Sequence, residues 1–306
     1  MTLVMSVLEQ GLIYAIMALG VYITYKILDF PDLTVDGSFP LGAAIGTAMI
    51  SRAMDPLLAV FVSLLAGALV GICTGIIHVK FRVRDLLAGI IMMTALYTIH
   101  IRIAGRANRP IYGQKTIFDN NLVNGIFRGP LEQYKTLIII RILALLVKYI
   151  LDWYLSTKSG FMLRAVGDNE TIVISSGVDK GMVKIVGLSI ANALVTMSGC
   201  IYAQQQRFYD AAMGPGTVVI GLASVIIGLS LYKRMSFLRI TSTVVIGSIV
   251  YKACVAVAIK LGMPSQDLKL ITAILFLIIL IVSMDRGRKK KNLQIAGTGE
   301  GDGQDA

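Results

Sequence analysis

Apolar runs of about twenty residues recur along the chain, with short polar stretches between them. Each run is long enough to cross a bilayer as a helix, because a helix rises about 1.5 Å per residue and the hydrocarbon core is roughly 30 Å thick. The composition agrees, since 56% of the 306 residues are hydrophobic and only 15% are charged. The pattern predicts an all-α polytopic membrane protein.

The apolar runs predict about nine membrane segments, at 6–26, 37–52, 57–79, 85–104, 136–155, 183–203, 217–232, 238–260 and 268–284. The second segment is weak, because its sequence LTVDGSFPLGAAIGTAMI contains Asp36, several glycines and Pro40. We expect a broken or partly re-entrant helix there. Non-helical backbone at membrane depth is tolerated only where it is buried in protein or lines a cavity.

Lysine and arginine residues indicate the orientation of the segments. The densest basic cluster, Arg286 to Lys291, follows the last segment, and cytoplasmic loops carry an excess of such residues. Placing this cluster in the cytoplasm also places the polar stretch 156–184 there and the N-terminus outside. The net charge of +11 then reflects cytoplasmic anchoring and gives no indication of nucleic-acid binding.

The stretch Ser156–Lys184 is polar and punctuated by glycine, yet membrane segments are predicted on both sides of it. Its polar groups would lack hydrogen-bond partners in hydrocarbon, so we expect it to protrude into water. The pattern predicts a short amphipathic helix from Gly160 to Val166, a turn at 167–169 and a second short helix from Glu170 to Ser176. Such a compact surface is suited to contact with a partner protein.

Charged residues inside the predicted segments are candidates for pairing or for a site. Lys148 and Asp152 are four residues apart, so they can pair on one helix face. Lys252 lies deeper in its segment and has no partner nearby in the sequence. An intramembrane cation is a functional-site candidate by default, so Lys252 is expected to serve a site or to pair between helices.

Small and polar residues in the segments predict close helix packing. Gly67, Gly71 and Gly75 are spaced by four residues, which lets two helices approach closely. This stripe predicts packing within the chain, with a contact between subunits as the alternative. Polar residues of the sixth segment are expected to bond between helices: Asn192, Thr196 and Ser198.

The loop 105–135 is the longest on the predicted outer side. It contains Arg106, Arg109, Lys115 and Arg128. Two interpretations remain open, a solvated loop and a docking surface for an extracytoplasmic partner with acidic residues, since basic surfaces favour such encounters.

Several kinds of chemistry have no sequence support. The chain contains no G-x-x-x-x-G-K-[ST], H-E-x-x-H or G-x-S-x-G motif, and its three cysteines lie in apolar runs without metal-ligand spacing. His78 and His100 are isolated from each other near segment ends. We therefore expect no enzyme activity, no metal site and no cofactor, and an energy source outside this chain.

Two stretches resemble a known family. They are Leu28–Ala44, LDFPDLTVDGSFPLGAA, and Ser159–Val178, SGFMLRAVGDNETIVISSGV. Both are similar to segments of the permease subunits of ABC importers in the branched-chain amino acid and ribose permease superfamily. The first stretch points to an uncharacterised, amino-acid-type branch. The second resembles the cytoplasmic segment through which these permeases couple to their ATPases.

The resemblance implies a multi-pass permease of the bacterial cytoplasmic (inner) membrane. Two copies, expected as a homodimer, would form the solute pathway in contact with membrane lipid. Two cytoplasmic ATPase subunits would bind the ATP, and an extracytoplasmic solute-binding protein would deliver an amino acid or a similar small polar solute. The permease domain would span 1–292, followed by a disordered tail at 293–306. The alternative function is a self-contained secondary transporter or channel.

The resemblance also implies roles for individual residues in ATPase coupling: Gly160, Phe161, Met162, Leu163, Arg164, Ala165, Val166, Gly167 and Asn169. Phe161, Met162 and Leu163 would fill an apolar groove of the ATPase, and Arg164 would pair with its acidic rim. The two glycines would set the ends of the coupling helix and Asn169 its turn.

Three residues are candidates for the solute pathway: Asp36, Ser38 and Lys252. By analogy with other transporters, Asp36 and Ser38 would shape the pathway or its gate at the broken second helix. The alternative for Asp36 is that it caps the helix that begins near Gly37.

Overall fold

A computed structural model of the chain describes residues 2–120, 129–168, 177–233, 237–260, 270, 272–274 and 276–281. Its main helices are α1 (Thr2–Tyr22), α2 (Val35–Ile50), α3 (Pro56–Val79), α4 (Asp85–Ala104), α5 (Lys135–Leu155), α6 (Lys158–Asp168), α7 (Lys180–Gln206), α8 (Thr217–Tyr232) and α9 (Ile240–Lys260). A π-helical turn at Ile23–Ile27 extends α1, and 3₁₀ turns lie at Gly129–Tyr134 and Ala211–Met213. Two short strands are β1 (Asn108–Pro110) and β2 (Phe208–Asp210).

Six helices of the described residues are long and apolar enough to cross a membrane. They are Leu3–Ile27, Pro56–Val79, Asp85–Ala104, Lys180–Gln206, Ala211–Tyr232 and Ile240–Lys260. The expected count of nine is thus not confirmed. Helix α2 has only 16 residues, and α5 contains four charged side chains along its length. The predicted segment 268–284 is described only at residues 270, 272–274 and 276–281.

Helix α7 lies at the centre of the bundle, against α1, α2 and α3. The glycine stripe of α3 faces it: a methyl group at Gly75 would come within 2.9 Å of Ile185 Cα, and one at Gly71 would collide with the Leu188 carbonyl. Gly199 of α7 meets the Phe39 carbonyl of α2 in the same way. The stripe therefore packs within the chain, which confirms the first of the two interpretations.

Polar side chains also join helices inside the bundle. The Ser198 hydroxyl donates to the Ile13 carbonyl of α1 at 2.7 Å, and the Ser248 hydroxyl of α9 donates to the Gly11 carbonyl at 2.8 Å. Asn192 bonds to residues outside its own helix as well. The prediction of bonds between helices is thus confirmed for Asn192 and Ser198, whereas Thr196 donates to the Asn192 carbonyl of its own helix.

The first part of the loop 105–135 is tied to the end of α7. Strand β1 pairs antiparallel with β2, and the Ile111 amide donates to the Arg207 carbonyl at 2.9 Å. Further along, the Ile117 amide donates to the Gln204 side chain at 3.0 Å. Residues 108–119 therefore form a strap across this end of the bundle, more ordered than a solvated loop. Residues 121–128 lie outside the described part.

Candidate functional site

Helix α2 is continuous from Val35 to Ile50, so the expected break inside the second segment is wrong. Pro40 is the sixth residue of α2 and removes only the hydrogen bond that would reach the Asp36 carbonyl. That carbonyl faces Gly214, where a methyl group would collide with it. The irregular backbone lies just before the helix, between the π-helical turn and Thr34, and much of it is buried.

The Asp36 carboxylate caps a helix, but not its own. It accepts hydrogen bonds from the Gly216 amide at 3.0 Å, the Thr217 hydroxyl at 2.9 Å and the Val218 amide at 2.7 Å. A carboxylate is well placed there, because helix N-termini carry unpaired amides and partial positive charge. Asp36 thus fastens the start of α2 to the start of α8. The expectation that it caps the helix near Gly37 has the right chemistry and the wrong helix.

Ser38 belongs to a buried polar network between α2 and α7. Its hydroxyl donates to the Asn192 side-chain oxygen at 2.6 Å. The Asn192 amide donates to Asp32 at 2.9 Å, and the Thr34 backbone amide donates to the same carboxylate at 2.8 Å. The network holds the irregular stretch before α2 against α7. Sequence reasoning missed Asp32, although a carboxylate between two apolar runs is a signal that could have found it.

Lys252 lies between α9 and α1. Its ammonium group sits 3.8 Å from the centre of the Tyr14 ring, a favourable cation–π arrangement. A small pocket of about 160 Å³ beside it is also lined by Ser6 and Gln10 of α1. Within the described residues no carboxylate lies within 4 Å of Lys252. The interhelical pair expected for this residue is therefore made with an aromatic ring.

Helix α6 runs from Lys158 to Asp168, two residues longer at each end than predicted. Gly160 and Gly167 lie inside it and do not mark its ends. A methyl group at Gly160 would come within 2.5 Å of Leu155 Cα, and one at Gly167 would collide with the Ile27 carbonyl. Both glycines therefore permit close packing. Asn169 and the predicted second helix at 170–176 lie outside the described residues.

The two faces of α6 differ sharply in exposure. Leu163 and Val166 are 0% and 2% exposed, and Leu163 packs beside Gly187 of α7. Phe161 is 59% exposed, and Arg164 and Asp168 also face outward. Leu163 cannot enter a partner's groove from this position, so its expected anchoring role is wrong.

The sequence could not distinguish these faces, because the groups that cover Leu163 belong to distant elements. Once Leu163 faces inward, the helical period also turns Val166 inward and leaves Phe161 and Arg164 on the outer face. Met162 and Ala165 are half-buried at the boundary between the two faces.

A recess of about 870 Å³ opens beside the exposed face of α6. We name it the basic recess; its charged lining residues are Lys26, Asp152, Arg164, Asp168 and Arg239. Its aromatic lining residues are Tyr22, Tyr149, Trp153, Phe161 and Tyr232. It thus joins α6 to the ends of α1, α5, α8 and α9.

The Asp152 carboxylate is neutralised within this recess. Lys148 lies 3.2 Å from it and Arg239 lies 3.3 Å from it, while the Thr241 hydroxyl donates to it at 2.5 Å. The predicted pair of Lys148 and Asp152 is confirmed. Arg239 adds a second cation that sequence spacing gave no reason to expect.

Known transport proteins are similar to this chain over most of its length. A tyrosine transport system permease protein of Clostridioides difficile (strain R20291) is 40% identical over 293 residues, which is 95% of each chain. The ribose import permease protein RbsC of Escherichia coli (strain K12) is 27% identical over 231 residues, covering 73% of this chain and 68% of RbsC.

The fold has a relative among solved structures. An ABC transporter of metal-chelate type in an inward-facing conformation superposes with a TM-score of 0.52 at 16% identity, covering 92% of this chain and 84% of the other. Residues 3–284 also match the model of a protein family that is described as "branched-chain amino acid transport system / permease component". The resemblance seen in the two sequence stretches is thereby confirmed. With six described helices able to cross a membrane, the chain belongs to this family of ABC transporter permeases and is a multi-pass protein of the inner membrane.

Proposed function

We propose that this chain forms the solute pathway of an ATP-driven importer that takes up an amino acid, with tyrosine as the first candidate. The observation that carries the proposal is the 40% identity, across 95% of both chains, with a permease named for tyrosine transport. The solute would come from an extracytoplasmic binding protein. Two copies of the chain would enclose the pathway as a homodimer.

In this proposal α6 is the coupling helix, and two cytoplasmic ATPase subunits bind ATP and each grip one copy of it. Phe161 and Arg164 are the contact residues, since they lie on the exposed face. Phe161 would fill an apolar groove, and Arg164 would pair with an acidic rim. The permease would then need neither an ATPase site nor a cofactor of its own.

The packing of α6 supports a rigid transfer of motion. Its buried face is fixed to α7 through Leu163 beside Gly187, and Gly160 and Gly167 rest on backbone at the ends of α5 and α1. A helix held this closely cannot shift alone, because packed interfaces change by discrete rearrangement. Closure of the ATPases would therefore tilt α1, α5 and α7 together.

We infer that Asp36, Ser38 and Lys252 act along the solute pathway. Ser38 ties the start of α2 to α7, which would tilt, and Asp36 ties it to α8, so the two residues would set how the start of α2 responds to that motion. Lys252 would face the solute from the α1–α9 pocket, where a cation can attract a carboxylate.

A double substitution tests the coupling role. Phe161→Ala with Arg164→Glu should reduce co-purification of the ATPase subunits, because it removes the apolar anchor and reverses the charge of the rim contact. Phe81→Ala with Lys80→Glu is a matched control on the α3–α4 connection, where both residues are also exposed. The control should retain the ATPase. Equal recovery of ATPase with both variants would contradict the proposal.

A further inference from the structure

The basic recess presents more positive charge than its own carboxylates neutralise. Asp152 already has two cationic partners, Lys148 and Arg239. Lys26 and Arg164 line the recess, are exposed and form no ion pair within the described part of the chain. The remaining carboxylate, Asp168, is exposed at the end of α6. An anionic group entering the recess would therefore find cations available to it.

An exposed apolar strip on α5 leads into this recess. Its residues share one helix face and are each at least 40% exposed: Ile142, Leu145, Leu146, Tyr149, Ile150 and Trp153. Tyr149 and Trp153 also line the recess, so the strip and the recess are continuous. From Ile142 to Trp153 the strip is roughly 16 Å long, close to the roughly 15 Å depth of one leaflet's hydrocarbon.

The junction has the character of a membrane–water interface. Trp153 is 71% exposed and Tyr149 is 61% exposed, and aromatic rings of this kind are enriched at the headgroup level. From Tyr149 and Trp153, the cations of the basic recess lie toward the C-terminal end of α5, and the apolar side chains of the strip lie in the opposite direction. This polarity matches a molecule with an anionic head and apolar chains.

We propose that the basic recess binds the headgroup of an anionic phospholipid, whose acyl chains lie along the apolar strip of α5. Lys26 and Arg239 contact the phosphate, since basic pockets between membrane helices favour such headgroups. A free phosphate would leave the apolar strip unused, and a second copy of the chain would have no need of the cations. The side of the membrane rests on the proposed function, which places α6 in the cytoplasm.

The bound lipid would act as a brace for α6. Its headgroup would lie among residues of α5, α6 and the segments that end α1 and begin α9, all of which line the recess. Occupancy would therefore stabilise the position of α6 relative to its supporting helices.

The chain offers a direct optical probe, because Trp153 is its single tryptophan. Full-length protein is placed in phosphatidylcholine nanodiscs that contain increasing fractions of lipid brominated on its acyl chains. Brominated phosphatidylglycerol should quench Trp153 fluorescence at a lower fraction than brominated phosphatidylcholine. Identical quenching curves for the two lipids would overturn the proposal.

Variants then locate the headgroup contact. Lys26→Gln with Arg239→Gln should lower the preference for phosphatidylglycerol by about fivefold for each cation removed. Lys26→Gln alone, which leaves Asp152 fully paired, should give about half of the effect on a logarithmic scale. Lys80→Gln with Arg84→Gln removes two cations away from the recess and should leave the preference intact. An equal loss in this control would contradict the site.

One further measurement, and one possible outcome of the quenching experiment, separate other occupants. Inorganic phosphate added as a competitor should leave the quenching unchanged, and displacement by phosphate would show a small-anion site instead. If a second copy covered the strip, neither brominated lipid would quench Trp153, which would also overturn the proposal. Arg164 is retained in every variant, so a failure here is distinct from a failure of ATPase coupling.

Discussion

Asp36 shows how a single side chain can join two elements far apart in the sequence. It lies in the first turn of α2, where an acidic residue is favourable, yet its carboxylate is directed at the start of α8. Gly216, which precedes α8, has a φ of +96°, a left-handed conformation that suits glycine. The two residues together define how α2 and α8 meet.

Removal of this cap should destabilise the bundle measurably. Asp36→Ala should lower the free energy of unfolding by about 1–2 kcal/mol, the usual cost of a lost N-cap, and thermal unfolding of the purified permease measures it. Asp36→Asn should cost less, because the amide oxygen can still accept a hydrogen bond. Asp85→Ala serves as the control, since the described bond of the Asp85 side chain goes only to the adjacent Leu86 amide. Equal losses at both positions would contradict the assigned cap.

Among the elements, the strap at 108–119 is held in part by charge. Burial acts to raise the pKa of the Asp119 carboxyl, but hydrogen bonds and charges from Lys135 and Arg207 outweigh it and hold the pKa below its ordinary value. Lys135 lies 2.5 Å from this carboxylate, and Arg207 pairs with it as well. Asp119 thus joins the strap to the start of α5 and the end of α7.

The strap should loosen in acid. A carboxyl whose pKa is depressed by folding contributes stability above its unfolded pKa, and this contribution is lost as the pH falls through the folded pKa. We therefore expect faster amide hydrogen exchange of Ile111 and Ile117, after correction for intrinsic rates, on the acid side of the ordinary aspartate range. Asp119→Asn should show that looser state at neutral pH already. An unchanged exchange pattern in the variant would show that the strand pairing alone holds the strap.

At the scale of elements, the sequence predicted the features that follow from the spacing of residues along one helix. The amphipathic helix at α6 and the packing stripe of α3 follow from spacing alone, and both are present. The orientation of α6 did not follow, because Leu163 packs beside Gly187 of α7 in a buried core that also contains Leu28, and these residues belong to other elements. The continuity of α2 was missed for a different reason. Pro40 was expected to break the helix, but it lies in the second turn, where the helix accommodates it.

The sequence indicated which segments to consider for a functional site, but it did not indicate which side chains the fold brings together there. Two sequence stretches drew attention to α6 and the start of α2, and the matches to known permeases confirm the family that these stretches resemble. Lys26, Trp153 and Arg239 could not be grouped from sequence, because only the fold brings the ends of α1, α5 and α9 together. The sequence also offered nothing to link Asp36 to α8, which begins about 180 residues later.

For the whole molecule, we propose that this permease moves solute only when ATPases act on α6. Uptake of labelled tyrosine into proteoliposomes, with the permease, its ATPase subunits and its binding protein reconstituted together, tests this most directly. We predict that tyrosine accumulates when ATP is supplied on the side of the membrane that carries the ATPase subunits. The Phe161→Ala, Arg164→Glu variant should abolish this accumulation. Accumulation of tyrosine by the permease alone, or without ATP, would contradict the account.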